Sequence, residues 1–203
     1  MRPTFTYAGK KYKTAADAAV QAARDLRKSR DPIDRRFAVS ALNRVGGEAV
    51  PHVEALVAAL RDEDRGVRYW AAASLAGLGP AAEAHPGEVA ALLQDEDPGT
   101  RYWAAAALGG IGPPASEHAA ALMTALKDSD PDVRVAATKA LVKVEPAVAP
   151  DAVAVHSTAL QDKYGESFFR ASAAEALGAL GPAAVPCAAA LSKALEDPYV
   201  SVR

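Results

Sequence analysis

Residues 64–80 read DRGVRYWAAASLAGLGP, and residues 97–113 repeat the pattern as DPGTRYWAAAALGGIGP. Further copies extend in both directions, and the arginine of each copy recurs at intervals of 33, 33, 33, 36 and 33 residues (Arg35, Arg68, Arg101, Arg134, Arg170 and Arg203). A fixed period of this length indicates stacked copies of one supersecondary unit, which together form a solenoid.

Each unit contains two apolar stripes with helical spacing. The first stripe begins one residue before the arginine and ends at a Gly-Pro pair (Val67, Ala71, Leu75 and Leu78, then Gly79-Pro80). The second precedes an acidic turn (Val89, Leu92 and Leu93). Spacings of three and four residues predict α-helices, and Gly-Pro is a stop signal. Each unit is therefore a predicted helical hairpin, and the array is predicted to be all-α.

The array covers residues 31–203, with hairpins expected near 31–61, 64–94, 97–127, 130–161 and 164–196. Three extra residues before Arg170 predict an irregular turn in the segment 163–167. A sixth repeat begins at Asp197 and stops at Arg203, so we expect a truncated end, a longer natural chain or a partner that covers the last hairpin.

The repeats resemble HEAT repeats, in the short form also seen in phycobilin-lyase arrays. The resemblance rests on the pattern D-x-x-V-R-x-x-A-A-x-A-L-G-x-L-G and covers about residues 31–203. It implies a right-handed α-solenoid. Deoxyhypusine hydroxylases resemble this architecture but carry His-Glu pairs where this chain has Tyr102 and Trp103, so the iron ligands of that family are missing here.

Residues 1–30 differ from the array. An aromatic and polar alternation in residues 4–13 predicts a small β-hairpin, and Thr14 to Asp17 resembles a capped helix start. Two roles remain open for this element. It is either a cap that shields the first repeat or a docking element whose aromatic residues bind a partner (Phe5, Tyr7 and Tyr12).

Two polar ladders follow the repeat. The arginines form one, and aspartates two residues after the last leucine of each hairpin form the other (Asp62, Asp95, Asp128, Asp162 and Asp197). An aspartate at a helix start accepts backbone N–H bonds, and an arginine one turn later can bridge to a carboxylate. We interpret both ladders as structural, because the interleaved acids cancel the positive field that nucleic-acid binding requires.

A third ladder holds His52, His85, His118 and Cys187, which share one position near the start of the second helix. Packed helices are roughly 8–10 Å apart, so neighbouring members cannot converge on one zinc ion. No metal and no cofactor are expected. These residues, and His156 outside the ladder, are predicted to be partly buried polar groups.

The most distinctive surface candidates are aromatic. Two residues after the arginine stand Phe37, Trp70 and Trp103, which we predict to pack between repeats. Tyr69 and Tyr102 precede the tryptophans and point about 100° away from them. Core packing and exposure are both open for these tyrosines, and exposed tyrosines one repeat apart would form a partner-binding stripe.

Composition limits the class of protein. The 203 residues are 50% hydrophobic and 24% charged, with a net charge of -2, so no general attraction to nucleic acid is expected. A single cysteine and the lack of a secretory signal favour an intracellular setting, either cytoplasmic or in an organelle after loss of a transit peptide. No membrane insertion is predicted.

These observations predict a non-enzymatic scaffold or accessory subunit that binds proteins along its solenoid surface and N-terminal element. The alternative is a phycobilin-lyase-like factor that handles a tetrapyrrole chromophore, which rests on the resemblance alone. Nucleic-acid binding is a third and weaker alternative.

Overall fold

The computed structural model describes residues 5–162 and 166–203. Strands β1 (Phe5–Tyr7) and β2 (Lys10–Tyr12) pair antiparallel, with Phe5 opposite Tyr12 and Tyr7 opposite Lys10. Helix α1 (Ala15–Lys28) follows, and the Thr14 hydroxyl caps it by accepting a hydrogen bond from the Asp17 N–H. The small N-terminal sheet and helix are confirmed; Thr4, where the hairpin was predicted to start, lies outside the described residues.

Helical hairpins fill the rest of the described chain. The first helices of the hairpins, called A helices, are α2 (Pro32–Val45), α4 (Arg65–Leu78), α6 (Pro98–Ile111), α8 (Pro131–Val144) and α10 (Ser167–Leu180). The second helices, called B helices, are α3 (Val53–Ala59), α5 (Pro86–Ala91), α7 (Ala119–Ala125), α9 (Ala149–Gln161) and α11 (Ala188–Ala194). The all-α solenoid is confirmed. Of the predicted irregular turn, residues 163–165 lie outside the described residues.

Local chemistry explains where the A helices begin and end. An aspartate caps four of them and accepts an N–H bond from the first turn (Asp31, Asp64, Asp97 and Asp130). Glycine ends four of them at a positive φ (Gly46, Gly79, Gly112 and Gly181). Helix α8 ends instead at the extended residue Glu145, and Pro146 prevents its continuation.

Most B helices are shorter than the sequence predicts. A 3₁₀ segment precedes α3, α7 and α11, and it spans Gly46–His52 in the first hairpin. Pro51 lies inside that segment, and Pro186 has the same place in the last hairpin. Proline supplies no N–H to an α-helix, so the chain forms short 3₁₀ turns until the proline has passed.

The core runs along the array between the A and B helices. One leucine of each A helix is fully buried at an equivalent position (Leu42, Leu75, Leu108, Leu141 and Leu177). Consecutive A helices lie side by side. They approach closely where Gly109 of α6 faces α8, since a β-carbon there would lie 2.9 Å from the Ala140 Cα. The hydrophobic core is therefore continuous from repeat to repeat.

By length and composition alone, the helical segment Ser167–Ala194 is apolar enough to cross a membrane, since it contains an 18-residue stretch with a mean hydropathy of 1.4. Gly181, at φ +55°, divides this segment into α10 and α11. A 14-residue helix such as α10 spans about 21 Å, short of the roughly 30 Å of a bilayer core. One face of α10 is buried, and α10 and α11 form the last helical hairpin of the array.

Candidate partner-binding surface

The arginine ladder connects consecutive turns of the solenoid. Arg101 donates from Nε to Asp128 Oδ2 at 2.8 Å and from Nη2 to Asp128 Oδ1 at 2.8 Å. Its Nη1 donates to the backbone carbonyl of Asp95 in the preceding turn. Arg35, Arg68 and Arg170 make the same bidentate contact with Asp62, Asp95 and Asp197. Each of these arginines therefore clamps the turn before its hairpin to the turn after it.

The ladder aspartates lie in the turns and do not cap the helices. Asp62, Asp95 and Asp128 each accept the N–H of the residue two positions later, and that residue is itself the helix cap. The predicted role at the helix start is therefore corrected, because the capping aspartate is the next one along the chain. Burial raises the pKa of Asp128, but hydrogen bonds from Arg101 and the Asp130 N–H outweigh it and leave that pKa below its usual value.

Arg134 departs from the ladder. Its Nε donates to the hydroxyl of Ser172 at 2.9 Å, and its Nη1 donates to the carbonyls of Asp128 and Ser129. Its buried Nη2 has no hydrogen-bond partner in the described chain, and the guanidinium carbon lies 4.4 Å from the ring centre of Phe169. Burial lowers the pKa of Arg134. No Arg134–Asp162 ion pair is present among the described residues.

Asp162 of the aspartate ladder and Arg203 of the arginine ladder also differ from the other members. The backbone carbonyl of Asp162 accepts a bond from Arg170 Nη1 at 3.4 Å. Arg203 is exposed and forms no ion pair with the described residues. Over residues 5–162 and 166–203 the predicted clamp is therefore seen in four hairpins, and Arg203 does not take part in one.

A buried polar cluster lies beside Arg134. His156 is 1% exposed, and its Nε2 lies 2.6 Å from the Thr138 hydroxyl oxygen. Thr138 donates its own proton to the Arg134 carbonyl, so Nε2 of His156 must carry the proton in this contact. Burial, with a smaller effect of Arg134, lowers the pKa of His156 to about 4. His156 is therefore neutral in the folded protein near pH 7.

The histidine ladder lies at the starts of B helices, as the sequence predicts. His85 Nε2 is 3.0 Å from Glu54 of the preceding hairpin, and Cys187 is buried. Burial, followed by the positive charge of Arg27, lowers the pKa of His52. Among the described residues, no three His, Cys, Asp or Glu side chains are grouped as a metal site requires.

The N-terminal hairpin packs through its aromatic face. Tyr7 is 8% exposed and donates from its hydroxyl to Asp25 of α1 at 2.9 Å. Burial, followed by this hydrogen bond, raises the pKa of Tyr7. Tyr12 is half-buried with its ring 6.4 Å from that of Tyr7, and Phe5 lies at the edge of the same face. Of the two roles left open for this element, the burial of Tyr7 favours the cap, because its side chain holds the hairpin on α1.

The aromatic residues of the central A helices form a connected surface, the aromatic band (Tyr69, Trp70, Tyr102 and Trp103). The Tyr69 ring meets Trp70 edge-to-face at 5.3 Å and Trp103 at 6.3 Å, and Tyr102 meets Trp103 at 5.0 Å. Tyr69 and Tyr102 are both half-buried. The band therefore spans two consecutive repeats without a break.

The prediction that the tryptophan series packs between repeats is wrong for two members. Trp70 is 36% exposed and Phe37 is 66% exposed, while Trp103 is half-buried against the core. In α4 and α6 this position is three residues after the first buried residue (Val67 and Thr100), which places it about 60° around the helix from the buried stripe. At that border the neighbouring A helix decides the exposure, and the sequence of one helix cannot show it.

Sequence reasoning missed two features. Arg36 donates to both carboxylate oxygens of Asp64, the cap of the next A helix. Phe168 and Phe169 are exposed, meet edge-to-face and lie beside the Arg134 guanidinium. Adjacent aromatic residues ahead of Arg170 were the available signal for the second feature, since the sequence has no aromatic residue at these two positions in the other repeats.

Family comparison agrees with the geometry. The HEAT repeats family model matches residues 17–87 and 86–166, and the PBS lyase HEAT-like repeat model matches residues 169–197. The fold is a scaffold of stacked hairpins, and the chain belongs to the HEAT-repeat family. No curated protein sequence matches the chain.

Solved structures share the fold at low identity. A computationally designed armadillo repeat protein for modular peptide recognition superimposes with a TM-score of 0.60 at 20% identity, covering 90% of this chain and 94% of its own. Yeast importin-beta superimposes with a TM-score of 0.56 at 15% identity, covering 91% of this chain and 27% of its own. The phycocyanin lyase complex from Nostoc gives 0.39 at 23% identity, covering 92% and 94%, which is too low to support an argument.

Proposed function

We propose that the protein is a non-enzymatic, intracellular scaffold that binds an extended segment of a protein partner through the aromatic band. The exposed ring of Trp70, joined through Tyr69 to Trp103, is the observation that carries this proposal. Tryptophan and tyrosine dominate the binding energy of protein interfaces because they bury a large area at a small cost in side-chain entropy.

The setting of the band supports a binding role. Its tyrosines and tryptophans lie on consecutive A helices that stack side by side, so the contacts repeat in the direction of the array. A repeated, rigid surface suits an extended ligand, because each repeat contacts the next part of that ligand. The clamps of Arg68 and Arg101 fix the turns before and after the two hairpins that carry the band, which keeps this spacing constant.

The test is selection of peptides from a displayed library, followed by measurement of Kd for the selected peptides. Trp70→Ala together with Trp103→Ala should weaken the selected peptides by about tenfold or more. Val185→Ser is the matched control, because Val185 is 70% exposed but lies in the last hairpin. Binding that survives loss of both tryptophans, or binding of a linear tetrapyrrole in place of any peptide, would contradict the proposal.

A further inference from the structure

A small pocket opens at one end of the aromatic band, between the starts of α6 and α8. Three aromatic rings and two carboxylates line it, and we call it the aromatic–acidic pocket (Tyr69, Tyr102, Trp103, Asp130 and Asp132). Asp130 caps α8, and Asp132 is exposed in the first turn of that helix. Aromatic faces and carboxylates both attract cations, so the chemistry of this pocket is that of a cation site.

The chain contains its own example of a guanidinium at the equivalent place. Two repeats earlier, Arg36 of α2 crosses to α4 and donates from Nε and Nη2 to the cap Asp64. Arg36 remains 49% exposed there. The hydrogen bonds from Arg36 lower the pKa of Asp64 to about 2. A capping aspartate of this array can therefore hold an arginine and cap its helix at the same time.

The pocket is open because the sequence changes at two equivalent positions. Tyrosine replaces Arg36 in the next two repeats (Tyr69 and Tyr102), so neither Asp97 nor Asp130 receives a guanidinium from the preceding helix. Tyr69 lies against Gly99, where a β-carbon would be 2.8 Å from the Tyr69 Cε2. Asp132 stands where Gly99 would be in the following repeat, so it adds a second carboxylate to the pocket.

The nearest cations of the chain are already engaged. Arg101 forms its bidentate contact with Asp128, and Arg134 is held by two backbone carbonyls and Ser172. Within the described part of the chain, neither Asp130 nor Asp132 takes part in an ion pair. The two carboxylates beside the three aromatic rings therefore form no direct ion pair within the described residues, although Asp130 lies within the electrostatic range of Arg101 and Arg134.

We propose that the aromatic–acidic pocket holds an arginine side chain of the partner, packed against Tyr102 and Trp103 and hydrogen-bonded to Asp130 and Asp132. The inference rests on the proposed function and names the residue type that this end of the band recognises. Arginine fits better than lysine, because its planar guanidinium stacks on rings while also making two parallel bonds to a carboxylate.

The experiment titrates a blocked Gly-Gly-Arg-Gly-Gly peptide into the full chain and follows the indole N–H signals of the two tryptophans by NMR. The citrulline peptide is the matched probe, because citrulline keeps the shape but lacks the charge. We expect a saturable shift of Trp103 with the arginine peptide and binding weaker by about tenfold for citrulline. Equal binding of the two peptides, or a shift confined to Trp70, would overturn the inference.

Protein variants locate the site. Asp130→Asn together with Asp132→Asn should abolish the preference for arginine, since asparagine retains the helix cap but lacks the charge. Asp151→Asn is the control, because Asp151 is an exposed carboxylate on α9. Retention of the preference in the double variant would also overturn the inference.

The two proposals can fail separately. Selected peptides that need Trp70 and Trp103 but contain no required arginine would leave the scaffold function standing and remove the arginine site. Arginine binding in the pocket without any selected peptide would support the site and contradict the scaffold function.

Discussion

Single residues in the arginine ladder share one position but have different surroundings. Arg101 has a complete set of partners, with Asp128 on two nitrogens and a backbone carbonyl on the third. Arg134 keeps the carbonyl contacts but has Ser172 in place of the carboxylate. Removing one partner of a buried ion pair, such as Arg101 with Asp128, leaves the other charge buried and uncompensated, which is strongly destabilising. Arg134 has no buried carboxylate as a partner, so its removal leaves no such charge behind.

We therefore expect Arg101→Met to cost more than Arg134→Met. Both variants lose the bonds to the preceding turn, but only the first leaves a carboxylate, Asp128, nearly buried without its cation. The difference in the free energy of unfolding should be about 1–3 kcal/mol, measured by chemical denaturation. Equal losses in the two variants would show that the clamp carboxylate adds nothing to stability.

A second residue-scale prediction concerns His156. Its folded pKa of about 4 lies below the ordinary value of 6.5, so the unfolded chain binds a proton more readily. The contribution of His156 is fully present above pH 6.5 and is lost as pH falls toward 4, at a total of about 3 kcal/mol.

Denaturation curves between pH 7 and pH 4 should show this dependence in the wild type. His156→Gln should flatten it, because glutamine does not titrate and can still donate to Thr138. Because carboxylates and His52 also titrate in this range, the difference between the two proteins is the quantity to compare. Identical pH profiles would mean that folding does not lower the pKa of His156.

At the scale of elements, close approach between consecutive A helices depends on small residues. Gly109 of α6 faces Ala140 of α8, and a β-carbon added to Gly109 would lie 2.9 Å from the Ala140 Cα. Gly178 has the equivalent position in α10, and a β-carbon there meets nothing within 4 Å. The same residue type thus has a packing role in one repeat and none in another.

Gly109→Ala should therefore lower the free energy of unfolding by about 1–3 kcal/mol, because two backbones must move apart. Gly178→Ala should raise it by up to about 1 kcal/mol, since alanine favours the helix and meets no neighbour. Thermal and chemical denaturation of both variants check the prediction. A gain in stability for Gly109→Ala would show that α6 and α8 separate easily.

At the scale of the whole molecule, each hairpin contacts its neighbours along the array, and the N-terminal sheet packs on α1. Stability in such a structure is approximately a sum over repeats and their interfaces. A change at one end should therefore have a local effect, and the amides at the far end should remain as protected from hydrogen exchange as before.

Tyr7→Ala should undock the N-terminal hairpin and increase amide hydrogen exchange in β1, β2 and α1, because it removes a buried ring and the bond to Asp25. Exchange in α8, α9, α10 and α11 should not change. Lys11→Ala is the control, since Lys11 lies on the exposed face of the same hairpin. Faster exchange throughout the array would contradict the expected independence of the repeats.

The sequence by itself determined the repeat, the helical hairpins, the glycine helix ends and the periodic arginines, because each follows from spacing within about 33 residues. Only the tertiary structure decided that Trp70 is exposed, that Tyr7 is buried, that Arg134 lacks a carboxylate and that Asp130 and Asp132 face aromatic rings. Those properties depend on whether a side chain of a neighbouring element occupies the adjacent space. The spacing of residues within one helix carries no information about such tertiary contacts.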